Sequence, residues 1–197
     1  MIKIFGDPIS GNCLKVKWAC EWLGIPFTWT NIDVTKQETR TEAFLAMNPA
    51  GQVPTVLLED GRPLAQSNAI LLFLAEGSDL IPPDSYERAK MLEWLFWEQY
   101  SHEPYVAVAR FQMMHMGKSR SELDPKLLER GEAALQRLEA ALKGSKFLVG
   151  ERLSLADLSL VAYTRMAGDG GFDLARYPAV QAWIARVEAA VPIREAA

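Results

Sequence analysis

Two polar side chains, Ser10 and Asn12, lie in a short loop that joins a predicted strand to a predicted helix. The start of a helix presents unpaired backbone N–H groups and a partial positive charge, and both stabilise an anion. A hydroxyl or amide group there can also donate a hydrogen bond to a sulfur anion. Lowering the pKa of a thiol by two units requires about 2.7 kcal/mol of such stabilisation. Ser10 is the leading candidate for the donor, but the residues alone do not separate it from Asn12.

The same loop raises the possibility of dithiol chemistry. The run from Ser10 to Cys13 has the spacing of a Cys-x-x-Cys motif, but Ser occupies the first and more reactive position, which argues against dithiol exchange. Cys20 lies seven residues after Cys13 in the same predicted helix. Their Cα atoms would be roughly 10 Å apart, which is too far for a disulfide. We therefore expect two reduced thiols, with Cys13 buried; an exposed Cys13 could form a mixed disulfide.

A second group of polar residues surrounds a predicted β-hairpin. The tripeptide Gln52-Val53-Pro54 opens a strand, and Pro54 has no N–H to give to the sheet, so the Val53 backbone is expected to face outward. An Asp-Gly turn and a return strand follow, and then Gln66 and Ser67 begin an apolar helix. An outward backbone suits an extended peptide-like ligand, and a helix start suits a carboxylate.

The block from Asn48 to Ile70, which contains this hairpin, resembles the glutathione-binding half of the cytosolic glutathione S-transferases. The resemblance implies that Val53 pairs its backbone with the cysteinyl part of glutathione and that Pro54 is cis. It also implies that Gln66 and Ser67 hold the γ-glutamyl end, whose carboxylate lies on the helix start.

The resemblance extends to the first loop and to the glycyl end of glutathione. Ser10 corresponds to the serine that contacts the glutathione sulfur in theta- and delta-like members, whereas other members use an asparagine that corresponds to Asn12. The loop contains no Tyr, so the tyrosine activator of the alpha, mu and pi classes is not expected. Gln52 could reach the glycyl end, and Lys36 or Arg40 could pair with its carboxylate, although the direct counterpart of the family's basic residue is Thr39.

The order of predicted elements divides the chain into two domains. Residues 1–77 predict a βαβαββα order, the thioredoxin-like arrangement of an α+β domain, and residues 78–84 have the composition of a linker. Residues 85–197 contain no convincing strand and predict an all-helical domain. Its predicted helices run from Tyr86 to about Met116, Pro125 to about Lys143, Ser154 to about Met166, and Pro178 to about Ala190.

Two features of the helical domain stand out. Ser154 and Asp157 form a capping box with Asp in place of Glu, which we interpret as structural because it resembles the N-capping box of glutathione S-transferase helical domains. Tyr105, Arg110 and Met113 lie on an aromatic and Met-rich helix, and we expect them to line a pocket for a second, apolar substrate between the domains. No pattern pairs the two histidines with other ligands, so no metal is expected.

Composition is consistent with this interpretation and excludes other classes. Of 197 residues, 49% are hydrophobic, and 21 Lys and Arg are spread among 25 Asp and Glu, so no basic surface for nucleic acid is expected. The longest purely apolar run, from Ala69 to Ala75, is far shorter than the roughly 20 residues that cross a bilayer. We expect a cytoplasmic protein.

The sequence therefore predicts a glutathione transferase of the bacterial, theta/delta-like type. It would activate the thiol of glutathione, its co-substrate, for attack on small hydrophobic electrophiles in detoxification, and the resemblance implies a homodimer. The alternatives are a glutathione-dependent disulfide reductase and a non-catalytic glutathione-binding module. The identity of the electrophile does not follow from the sequence.

Overall fold

The structure, a computed structural model, describes residues 1–191. The chain divides between Ser78 and Asp79 into two compact units, of which the first also includes Val191 and the second ends at Ala190.

The first unit has the predicted βαβαββα order and the predicted thioredoxin-like fold. Its four strands form one sheet in the order β2-β1-β3-β4, in which β1 and β2 are parallel and the other two pairings are antiparallel. The elements are β1 (Ile2–Gly6), α1 (Gly11–Leu23), β2 (Phe27–Asn31), α2 (Glu42–Met47), β3 (Thr55–Leu57), β4 (Pro63–Ala65) and α3 (Ser67–Leu74).

The core of this unit forms between the sheet and its helices. Alternate residues of β1, Ile2 and Ile4, are buried, as the period of a strand requires. They pack with apolar side chains of α1, β3 and α3 in one cluster. Helix α1 ends at Gly24, whose φ of 65° is the left-handed conformation that glycine adopts most readily, as the sequence predicts. Helices α1 and α3 are thus anchored to the sheet by a packed core.

The second unit is all helical, as predicted. Residues 79–190, all of which the structure describes, contain no strand. No helix among residues 1–191 is long and apolar enough to cross a membrane. The helices of this unit are α4 (Ser85–Trp97), α5 (Glu103–Met116), α6 (Pro125–Leu142), α7 (Leu155–Thr164) and α8 (Pro178–Ala190).

The segment predicted as one helix from Tyr86 to about Met116 is helical throughout, but it is not one regular α-helix. A π-helical turn, Glu98–His102, separates α4 from α5. Pro104 lies in the first turn of α5, where its missing N–H costs no intrahelical hydrogen bond. In an uninterrupted α-helix its ring would meet the carbonyl four residues earlier, so the widened turn relieves that clash.

The capping box at the start of α7 is confirmed. The buried carboxylate of Asp157 accepts hydrogen bonds from the backbone N–H of Ser154 (2.9 Å), the hydroxyl of Ser154 (3.0 Å), the backbone N–H of Leu148 (2.8 Å) and the indole N–H of Trp183 (2.9 Å). Burial raises the pKa of Asp157, and these donors act in the opposite direction. The box therefore joins α7 to α8 and to the preceding loop, which is a structural role.

Candidate active site

Ser10 forms the start of α1. Its backbone is extended and its carbonyl accepts the first helical hydrogen bonds, from the N–H of Cys13 (3.0 Å) and of Leu14 (2.9 Å). Its side chain does not cap the helix. The hydroxyl instead forms a hydrogen bond with the thiol of Cys13, which acts to lower the pKa of that thiol. Ser10 therefore lies at the predicted place, but its hydroxyl is engaged by a side chain of the same loop.

Both cysteines are free thiols with no exposed surface. The backbone N–H of Asp7 lies 3.4 Å from the sulfur of Cys13. Burial raises the pKa of Cys13 to about 12 and that of Cys20 to about 12. Neither thiol is a nucleophile at neutral pH. Cys13 is therefore not expected to form the mixed disulfide that would be possible if it were exposed.

Asn12 and Ser67 join the starts of two helices. The hydroxyl of Ser67 donates to Oδ1 of Asn12 at 3.1 Å, and this bond connects the first turn of α1 to the first turn of α3. The two helices also pack against each other. Because both helix starts carry unpaired N–H groups and partial positive charge, their convergence favours anionic groups beside them. Two residues predicted for different parts of the site thus lie in direct contact.

Gln66 precedes α3 in an unusual backbone conformation. Its φ is 68° and its ψ is 110°, a region that residues other than glycine rarely adopt. Such a conformation costs about 1–3 kcal/mol and persists only where the surrounding structure enforces it. The side chain is exposed and makes no capping bond to α3. The N–H groups at the start of α3 are therefore not covered by their own N-cap side chain.

The Val53–Pro54 peptide bond is cis, as the resemblance implies. Pro54 is buried, whereas Val53 is half-buried. Within residues 1–191, the backbone N–H and C=O of Val53 make no hydrogen bond. They are available to pair with the backbone of an extended ligand.

Asn48 holds the turn before this bond, a role that the sequence interpretation missed. Its buried amide donates to the carbonyl of Gln52 (2.8 Å) and to the hydroxyl of Thr55 (3.1 Å), and its Oδ1 accepts the N–H of Ala50 (3.1 Å). The available signal was an Asn directly before Pro49, a pair that favours turns. Asn48 fixes the segment that presents Val53.

Arg40 lies over the same turn. Its Nη1 is 3.5 Å from the carbonyl of Ala50, and a side-chain carbon on Gly51 would lie 2.5 Å from that nitrogen. Thr39, the counterpart of the family's basic residue, is buried. Lys36 is exposed and paired with Asp33 at 3.0 Å. The structure therefore brings Arg40, rather than Lys36, beside the segment that contains Gln52.

Comparison with known proteins agrees with these features. The model of the glutathione S-transferase N-terminal domain matches residues 9–76, and that of the C-terminal domain matches residues 95–190. The chain belongs to the glutathione S-transferase family. This membership confirms three predictions: the resemblance to the glutathione S-transferases, the two-domain fold, and the activity class of a glutathione S-transferase. The assignment to a theta/delta-like type stays a prediction.

Individual relatives of this transferase cover almost all of it. A glutathione S-transferase structure from Pseudomonas fluorescens Pf-5 is 50% identical, with a TM-score of 0.92, covering 95% of this chain and 94% of that one. A glutathione S-transferase structure from Xanthobacter autotrophicus Py2 is 44% identical, with a TM-score of 0.91 and coverages of 96% and 93%. The disulfide-bond oxidoreductase YfcG of Escherichia coli K12 is 29% identical over 95% of this chain and 90% of its own.

The residues predicted for a second-substrate pocket lie on α5 of the transferase. Tyr105, Arg110 and Met113 are all half-buried. Arg110 donates to Asp169 at 3.0 Å, and Met113 lies against Gly171, so both contact the turn that follows α7. Their assignment to a pocket stays a prediction. Residues 1–191 contain no group of three or more His, Cys, Asp or Glu side chains that could hold a metal ion.

Proposed function

We propose that this chain is a glutathione transferase that ionises the thiol of glutathione at the start of α1 and directs it to a small apolar electrophile. The observation that carries the proposal is the contact between Ser67 and Asn12, since it places two helix starts together. One start suits the thiolate and the other suits the γ-glutamyl carboxylate, because each offers N–H groups and partial positive charge to an anion.

The binding roles follow from the groups along the hairpin. The backbone of Val53 pairs with the cysteinyl residue of glutathione, since its N–H and C=O are otherwise unused in the described chain. Gln66 and Ser67 take the γ-glutamyl end at the start of α3. Gln52 and Arg40 take the glycyl end, where the guanidinium forms a charge-assisted bond with the carboxylate.

Residues at the start of α1 activate the thiol of glutathione. A hydrogen bond from Asn12 or Ser10 stabilises the thiolate, and the thiol proton passes to water. The sulfur then uses its electron pair to form the new carbon–sulfur bond, and the leaving group departs with the electrons of the bond that breaks. The electrophile lies against Tyr105, Arg110 and Met113 of α5, and the enzyme acts as a homodimer.

The test is the ultraviolet absorbance of the thiolate when glutathione binds at neutral pH. S-methylglutathione, which has no ionisable thiol, is the matched control ligand. We expect a thiolate signal with glutathione only, together with conjugation of an activated aryl halide. Binding of glutathione without a thiolate signal at neutral pH would contradict the proposal and indicate a non-catalytic binding module.

A second candidate is glutathione-dependent disulfide reduction, which is favoured by the similarity to the disulfide-bond oxidoreductase. The buried thiols of this chain cannot take part, so two glutathione molecules supply the electrons. The first thiolate displaces one half of the substrate disulfide as a thiolate. The second then attacks the mixed disulfide, which gives oxidised glutathione and the second product thiolate.

The two activities are separated by parallel assays of one preparation. An activated aryl halide reports conjugation, and a small symmetrical disulfide reports reduction. We expect conjugation to have the larger kcat/KM. A larger kcat/KM for the disulfide would instead make reduction the principal activity of the same site.

A further inference from the structure

Ser10 and Cys13 share a side-chain hydrogen bond at the start of α1. Ser10 is the N-cap residue of the helix, and Cys13 is its third residue. The side chain of Cys13 has no exposed surface, whereas Ser10 is half-buried. The bond therefore joins a thiol of the core to a hydroxyl at the predicted site of thiol activation.

The thiol of Cys13 has a second partner, and it keeps its proton. The backbone N–H of Asp7 donates to the sulfur at 3.4 Å. Burial raises the pKa of Cys13 to about 12, so the thiol stays protonated near neutral pH. The sulfur of Cys13 thus accepts one hydrogen bond from the backbone while its own S–H remains a donor.

Counting protons separates two arrangements of the bond when glutathione is bound. A hydroxyl and a thiol each have one hydrogen to donate. If Ser10 donates to Cys13, its hydrogen does not reach the sulfur of glutathione. If Cys13 donates to Ser10 instead, the hydroxyl directs its hydrogen to the glutathione thiolate. Only the second arrangement lets Ser10 stabilise the thiolate and keep its bond to Cys13.

The second arrangement is easily reached and strengthens the donor. The two arrangements differ by rotation of the hydroxyl and thiol hydrogens, so no heavy atom has to move. A hydroxyl whose oxygen accepts a hydrogen bond is itself a stronger donor, because hydrogen bonds in a chain polarise one another. A thiolate, as an anion, is also a stronger acceptor than the neutral thiol of Cys13.

We propose that Cys13 is a positioning residue for thiol activation: its S–H donates to Oγ of Ser10 and so directs the hydroxyl of Ser10 to the sulfur of bound glutathione. This inference rests on the proposed function and deepens it, because it gives a role to a buried thiol that does not itself react. The contribution of Ser10 adds to that of Asn12 and does not replace it.

A double-mutant cycle of Cys13→Ala and Ser10→Ala tests the proposal in the full-length protein. The measured quantity is the apparent pKa of the thiol of bound glutathione, obtained from thiolate absorbance at saturating glutathione. Cys13→Ser keeps a donor at the same position and is the rescue variant. If Cys13→Ala does not fold, Cys13→Val replaces it, because valine fills more of the space and has no donor.

The matched control is Cys20→Ala. Cys20 is an equally buried thiol of the same helix, but it packs in the apolar core. Its removal therefore reports the general effect of losing a buried thiol from α1. The dissociation constant of S-methylglutathione, measured for every variant, reports binding without thiolate formation.

We expect Cys13→Ala to raise the apparent pKa of bound glutathione by about 0.5, the lower end for one net hydrogen bond, because S–H is a weak donor. The increase should be absent in the Ser10→Ala background and in Cys20→Ala. Cys13→Ser should return the pKa to the wild-type value or below it. The affinity for S-methylglutathione should change by less than about twofold, because a bond to sulfur matters most when the sulfur is charged.

The sign of the pKa change decides between the two arrangements. A lower pKa in Cys13→Ala would overturn the inference, since it would show that the thiol keeps the Ser10 hydroxyl away from the ligand. An unchanged pKa, an equal increase in the Ser10→Ala background or in Cys20→Ala, or no recovery in Cys13→Ser would overturn it as well.

Failure of the inference is distinguishable from failure of the proposed function. A wild-type protein that binds glutathione without forming thiolate near neutral pH would overturn the proposed function itself. A wild-type protein that forms thiolate, with variants that do not behave as expected, would overturn only the role of Cys13. The wild-type titration is therefore measured first.

Discussion

Asn12 and Ser10 share the start of α1 but are held differently. Asn12 accepts a hydrogen bond from Ser67 of α3, whereas the hydroxyl of Ser10 is hydrogen-bonded to the thiol of Cys13 in the first turn of α1. We propose both side chains as donors to the glutathione sulfur, and the amide of Asn12 is held by Ser67, a residue of α3. We therefore expect Asn12 to be the more preorganised of the two donors.

We predict that Asn12→Ala lowers kcat/KM for conjugation more than Ser10→Ala does. Loss of an oriented hydrogen bond to the thiolate in Asn12→Ala should lower kcat/KM by about tenfold or more. Loss of the hydroxyl in Ser10→Ala should lower kcat/KM by a smaller factor. Both variants should retain affinity for S-methylglutathione, since a bond to sulfur matters most when the sulfur is charged. The measurements are steady-state kinetics and calorimetric binding. A larger loss for Ser10→Ala would make Ser10 the principal donor.

The buried thiols lead to a prediction about alkylation. With a pKa of about 12, only about one Cys13 or Cys20 in ten thousand is ionised at pH 8, and neither side chain is exposed. Mass spectrometry after iodoacetamide treatment at pH 8 should find no label on the native chain and two labels on the chain in denaturant. Rapid labelling of native Cys13 would contradict its burial.

The same thiols affect stability in a defined direction. The unfolded thiols ionise near pH 8.5, whereas the folded thiols, whose pKa values are about 12, keep their protons. Because the folded state then binds more protons, the free energy of unfolding should fall as the pH rises above about 8.5.

At the scale of elements, local chemistry determines what the sequence can predict. The end of α1 at Gly24 and the start of α7 at Ser154 were predictable, because glycine and the capping box act within one turn. The π-turn at Glu98–His102 was missed, since the apolar pattern continues through it and Pro104 was its only signal. The bond between Asn12 and Ser67 spans 55 residues and depends on how α1 packs on α3. No local pattern encodes such a contact.

The capping box of α7 leads to a stability prediction. Asp157→Ala would leave the buried backbone N–H of Ser154, the buried indole N–H of Trp183 and the half-buried backbone N–H of Leu148 without their acceptor. We expect the free energy of unfolding to fall by about 3–5 kcal/mol, measured by urea denaturation.

The matched control for Asp157→Ala is another helix cap of the same unit. Asp84 caps α4 through the N–H groups of Tyr86 (3.0 Å) and Glu87 (2.9 Å), but its carboxylate is exposed. Water can replace it, so Asp84→Ala should lower stability by only about 1 kcal/mol. Equal losses for the two variants would show that burial of the Asp157 network contributes little.

At the scale of the whole molecule, the order of the two units was predictable from the spacing of apolar residues. The first part of the chain shows both strand and helix spacing, and the second part shows helix spacing alone. Which apolar side chains lie on the surface was harder to predict, because the spacing of apolar residues does not distinguish a side chain packed in the core from one packed against another subunit. Phe96 and Tyr100 illustrate this ambiguity. They lie four residues apart at the end of α4 and in the π-turn, and their exposed fractions are 73% and 84%.

Two large exposed aromatic side chains on one helical surface favour contact with another protein, and we predict that this surface belongs to the homodimer interface. Sedimentation equilibrium should give a dimer for the wild type. Phe96→Glu places a charge where an apolar contact is expected, so the dissociation constant of the dimer should rise at least about tenfold. Met116→Glu, an equally polar change at an exposed position at the end of α5, is the control and should leave the dimer intact. A monomeric wild type, or equal effects of the two substitutions, would contradict the assignment of Phe96 to the interface.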